Sequence, residues 1–151
     1  MNNNSQTVVR IGVSIIAMVL MTLRPAIDLE FIEPKYRGYV LEYINTLEEN
    51  GIRVPAQIRW TVKEEPSFWM TRVLGRAEGM DDDRQVDVLL TPLMYRMTEN
   101  EKKFIIWHEL THDIFNVRHG ETILMKPQSG NDDMMFPIAR VALIKYLKSK
   151  Q

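Results

Sequence analysis

From Pro34 to Asn50 the apolar positions Tyr36, Tyr39, Val40, Tyr43, Ile44 and Leu47 recur at spacings of three and four, which predicts a helix with one buried face. Pro34 suits its first turn, and Asn50-Gly51 supplies a left-handed cap. The period then changes. Ile58, Trp60 and Val62 alternate with Gln57, Arg59, Thr61 and Lys63, so a half-buried strand follows, with Pro55 in the joint. Val86, Val88 and Leu90 repeat that alternation and stop at Pro92. Between the two strands lies a stretch interrupted by Pro66, Gly75 and Gly79, in which Thr71 to Ala77 reads as a short strand.

A second helix begins beyond Pro92. Thr98 and Glu101 have capping-box spacing, and Glu99 and Glu101 sit near the positive end of the helix dipole. Phe104, His108, Thr111, His112 and Phe115 share one face, while Ile106, Leu110 and Ile114 can bury another, so this helix is expected at the centre of the core. Asn116 tolerates positive φ and is placed to stop it. The stretch T-I-L-M-K-P-Q-S-G then reads as a turn holding Met125, with Pro127 and Gly130 close behind. Asn131, Asp132 or Asp133 can cap a last helix from about Met134 to Lys148, whose Ile138, Val141, Leu143, Ile144 and Leu147 are expected to cover the domain. Helices and strands in this order make residues 31–151 one α+β domain.

Residues 1–30 stand apart as an N-terminal tail. A polar start, MNNNSQT, leads to an uncharged, mostly apolar run from Ile11 to Leu23 behind Arg10. The run is short for a membrane span. Two readings stay open: an export signal or anchor, giving membrane association through residues 8–23, or a buried element of a cytoplasmic protein.

Composition changes the picture in three places. A chain of 151 residues is long enough for one domain with an adequate core. A net charge of −1 provides no basic stripe to displace counterions from phosphates, so no nucleic-acid partner is expected. The absence of cysteine excludes disulfides and thiolate metal sites, leaving histidine and carboxylate as metal ligands. The run Asp81-Asp82-Asp83-Arg84 reads as a solvated turn, because it lacks the alternating ligands and distal Glu of a calcium loop.

The candidate chemistry is concentrated in W-H-E-L-T-H-D-I-F-N-V-R-H-G, from Trp107 to Gly120, which holds all three histidines of the chain. A four-residue step along a helix returns to within about 40° of the same face, so His108 and His112 can meet one metal ion. Glu109 can lean over the open side of that metal and act as a base toward bound water. His119 joins them only if the chain leaves its helix near Asn116 and folds back. Three neutral nitrogen ligands with one open position are the pattern of a catalytic zinc site. Glu121 is the rival third ligand. The other reading of the cluster is a non-catalytic zinc staple in a binding or regulatory module, which normally requires a fourth protein ligand.

H-E-L-T-H-D-I-F-N-V-R-H followed by I-L-M-K-P resembles the motif of small zincin metallopeptidases of the metzincin-like kind, in which H-E-x-x-H-x-x-G-x-x-H precedes a Met-containing turn. One extra residue separates His112 from His119, and Asn116 stands where a glycine makes the bend. The longer H-E-x-x-H-x6-H spacing is similar to that of minimal bacterial and phage metallopeptidases, often exported, that also end in a Met turn and a C-terminal helix. The likeness is specific over residues 98–127. It implies a short mixed sheet packed on a central active-site helix, with N-terminal and C-terminal helices around it. It also implies a zinc ion on His108, His112 and His119, Glu109 as general base, and Met125 beneath the metal. For Met125, one of ten methionines, simple core filling is the alternative. A peptide or protein substrate is implied, extended along an edge strand, with Thr71 to Ala77 the first candidate and Val86 to Leu90 the second. A monomer is expected.

Overall fold

The computed structural model describes residues 28–55, 59–78, 84–126 and 135–151. The apolar run at 8–23, the acidic residues Asp81 to Asp83, the Pro127 and Gly130 pair, and the caps proposed at Asn131 to Asp133 lie outside them. Helix α1, Arg37–Glu49, follows a 3-10 turn at Pro34–Tyr36. Strands β1 (Arg59–Glu64), β2 (Gly75–Glu78) and β3 (Gln85–Leu90) come next, then helix α2 (Glu99–Phe115) and helix α3 (Met135–Lys148). Two further 3-10 turns, Pro66–Met70 and Pro92–Arg96, flank the second half of the sheet. This is the expected small α+β domain. Among the described residues no helix is long and apolar enough to cross a membrane.

The sheet has the order β1-β3-β2. β1 and β3 are parallel, with Trp60 beside Val86 and Val62 beside Val88, whereas β2 runs antiparallel to β3, with Gly75 beside Leu90 and Ala77 beside Val88. β3 is therefore central and hydrogen-bonded on both edges, so Val86 to Leu90 cannot serve as a pairing edge for a substrate. Among the described residues β2 has no strand on its other edge. It is also shorter than the pattern suggested: Thr71 closes the preceding 3-10 turn by donating its N–H to the Phe68 carbonyl, and extended pairing begins only at Gly75.

Each element buries the face its period dictates. On α1, Val40, Tyr43, Ile44 and Leu47 are buried, and on β1 Trp60 and Val62 are. Each such side chain stabilises the fold by roughly 1.5–3 kcal/mol relative to exposure. α2 lies under the sheet and is buried without interruption from Phe104 to Asp113. Trp107 locks it between its neighbours, meeting the rings of Tyr43 on α1 and Phe136 on α3 edge-on, each at 5.0 Å between centroids. The Tyr43 hydroxyl shares a buried hydrogen bond of 3.0 Å with that of Thr111. Asp113 accepts the Asp87 backbone N–H at 3.1 Å, tying the helix to β3. α3 departs from expectation in one respect. Phe136, Ala139, Leu143 and Leu147 form its buried stripe, while Ile138 and Val141 are 54 % and 63 % exposed, because the described core reaches only one side of that helix.

Candidate metal centre

Local chemistry fixes where α2 begins and ends. Thr98 accepts the Glu101 N–H at 3.3 Å, and the Glu101 carboxylate accepts the Thr98 N–H at 2.8 Å, completing the capping box. Asn116 stops the helix in the left-handed conformation, φ 50° and ψ 35°. The chain then folds back through Gly120, whose φ is 86° and whose N–H donates to the Met125 carbonyl at 2.8 Å. That reversal carries His119 to the helix.

His108, His112 and His119 come together with their ligand atoms all within 4.8 Å of one another. The Nε2 atom of His108 lies 3.0 Å from that of His112 and 3.2 Å from that of His119. An ion held tetrahedrally at about 2.0–2.1 Å by each imidazole nitrogen keeps such nitrogens about 3.3–3.4 Å apart, so these two separations fall slightly inside the spacing that one small divalent ion would set. The tautomer agrees. His108 donates its Nδ1–H to the Leu124 carbonyl at 2.6 Å, which leaves its Nε2 lone pair facing the other two rings. Converging nitrogen lone pairs are what a cation satisfies. His112 Nδ1 makes no hydrogen bond of normal geometry, although the Val117 backbone lies near enough to favour its protonated form.

Burial favours the neutral form of the two helix histidines. Burial pushes the His108 imidazole down to about 4, against the Leu124 carbonyl, with His112 and His119 adding repulsion. His112 is lowered by burial and then by His119. A neutral imidazole is the form that ligates a metal. Beside them, Glu109 is 8 % exposed, and burial raises its carboxyl to about 7 although the Ala77 backbone N–H partly stabilises the charged form.

Glu109 has this position because Gly75 leaves it room. A Cβ on Gly75 would stand 2.8 Å from Cγ, 2.9 Å from Oε1 and 3.1 Å from Cδ of Glu109. From sequence Gly75 reads only as an interruption; its φ is not positive, and the requirement for glycine is one of space. The Leu124 carbonyl escapes sequence reading too, because it is a backbone group brought in by the turn. Met125 is wholly buried in the core, and the polar contact to a histidine comes from its neighbour Leu124. Glu121 is not brought to the trio: it is exposed, and its carboxylate accepts the Arg118 N–H at 2.8 Å, a bond that holds its pKa down.

A cleft of about 810 Å³ opens over the histidines. Its wall takes in two segments, Arg72 to Ala77, which includes the start of β2, and the loop residues Arg118, His119 and Lys126, while Phe104, Ile105, His108, Glu109 and His112 of α2 form the floor. The arrangement is compatible with a zincin-like site: a three-histidine group on a helix that can hold a metal ion, reached from an open groove. No family, curated protein or solved structure matches the chain.

Proposed function

We propose that the protein is a zinc-dependent metallopeptidase. The observation that carries this reading is the convergence of three imidazole Nε2 atoms beside a buried carboxyl at the floor of an open cleft. His108, His112 and His119 would hold the ion. The donor set favours zinc, which takes neutral imidazoles readily and tolerates three protein ligands with one open position. Zinc, when bound, supplies a Lewis acid that polarises a carbonyl and lowers the pKa of water toward neutrality. A purely structural zinc normally has four protein ligands, and among the described residues the group contains three.

Glu109 supplies the proton chemistry. A carboxylate oxygen takes a proton from the attacking water, and the same side chain delivers it to the leaving amine. Its burial raises its basicity, which favours taking up a proton near neutral pH, and a bound dication would act in the opposite direction. The Ala77 N–H orients the carboxyl. The open edge of β2 offers backbone groups to an extended peptide, which would lie across the histidines.

Glu109→Gln is the test. The variant is expected to retain one equivalent of zinc while hydrolysis of unstructured protein substrates falls by about 10²–10⁴-fold. A Glu109→Gln protein that binds zinc and cleaves as fast as the parent would sink the proposal.

A further inference from the structure

The two wall segments of the cleft carry charge of one sign. Arg72 and Arg76 stand on the β2 side, Arg118 and Lys126 on the loop side, and all four are exposed. Glu109, on the floor, is the only carboxylate lining the cleft among the described residues. This is segregation, because the chain as a whole has 20 acidic residues against 19 basic ones. Nor is the charge neutralised locally. Arg76 meets Glu78 loosely at 3.7 Å, in an exposed pair. The Glu121 carboxylate near Arg118 is engaged by that residue's backbone N–H. Among the described residues Arg72 and Lys126 form no ion pair.

We propose that the cleft selects acidic peptides, with Asp or Glu side chains on both sides of the bond presented to the three histidines. The proposal rests on the peptidase reading. The four cations come from two separate segments of the lining, so a chain laid along β2 meets basic partners for more than one of its carboxylates. A polynucleotide fits less well: among the described residues Phe104 is the only Phe, Tyr or Trp lining the cleft, and at 6 % exposure it offers no platform for bases to stack on.

The test is binding, separated from cleavage. Zinc-loaded Glu109→Gln full-length protein is titrated by fluorescence anisotropy with short labelled peptides of one length, rich in Asp and Glu, in Asn and Gln, or in Lys. The acidic peptide is expected to bind at least about ten-fold tighter than its amide counterpart at low salt, with the gap narrowing as salt is added. Arg72→Gln, Arg76→Gln, Arg118→Gln and Lys126→Gln should each weaken acidic binding about two- to five-fold, and all four together should erase the preference. Equal affinity for acidic and amide peptides, preference for the Lys peptide, or displacement by single-stranded RNA as effective as by the acidic peptide would each overturn the proposal. The parent protein separates the two readings. Cleavage without acidic preference defeats the selectivity and leaves the peptidase standing; acidic binding without cleavage of any peptide defeats the peptidase and leaves the selectivity.

Discussion

The floor of the cleft is a 17-residue helix with a capping box at one end and a left-handed stop at the other, whereas the β2 wall is a strand of four residues that begins at a glycine. The floor positions chemistry by presence: His108 and His112 lie one helical turn apart, and Trp107 and Thr111 hold the helix against its neighbours. The wall positions chemistry by absence. Gly75 contributes no side chain, and the Glu109 carboxyl occupies the space a Cβ would fill. A rigid, locally encoded element thus carries two of the three histidines, and a short strand set against it shapes the space that the Glu109 carboxyl occupies.

That contrast can be broken most severely from the floor. On the zinc reading, replacing His112 with Ala removes one member of the trio; zinc measured by elemental analysis should fall from one equivalent to a trace, and the same loss is expected for His119→Ala. A chelator should reproduce the effect on the parent protein and lower its thermal midpoint, since an ion that binds only the folded state stabilises it by mass action. Full zinc occupancy in either variant would remove that histidine from the site. From the wall, Gly75→Val should leave zinc occupancy intact while peptide hydrolysis falls by about ten-fold or more, because small displacements of a catalytic group are costly. If activity is unchanged, the close approach of Gly75 to Glu109 has no bearing on catalysis. Gly38→Ala is the matched control: nothing lies within 4 Å of a Cβ built there, so the change should stabilise α1 by up to about 0.5–1 kcal/mol and leave activity alone. Thr98→Ala sharpens the comparison more mildly. Losing the capping box should cost about 1 kcal/mol in denaturant unfolding without affecting zinc binding. A loss of metal in that variant would mean that the histidines depend on the helix start as well as on its packing.

Much of the floor was legible in the chain. The cap at Thr98, the stop at Asn116 and the spacing of His108 from His112 depend on groups within a few residues of one another, and such geometry survives in any fold that contains the helix. The wall was not. The strand expected from Thr71 is shortened by the 3-10 turn Pro66–Met70, which takes Thr71 as its cap and delays pairing until Gly75. Val86 to Leu90 alternates like an edge but is central, because strand order depends on how the chain crosses over rather than on the strand's own residues. On α3 the apolar positions outnumber those that find a neighbour, and Ile138 and Val141 are left outside the stripe.

By itself the sequence determined the α+β class, the central helix with both its ends and the pairing of His108 with His112. Each follows from backbone periodicity or from one residue's φ preference, forces that act over a turn or two of chain. Only the tertiary structure decided that His119 comes back to the helix, that His108 donates to the Leu124 carbonyl, that Gly75 makes room for Glu109, and that Arg72, Arg76, Arg118 and Lys126 line a single cleft. Those relations join residues from separate segments, and distance along a chain carries no information about distance in space until the core has packed.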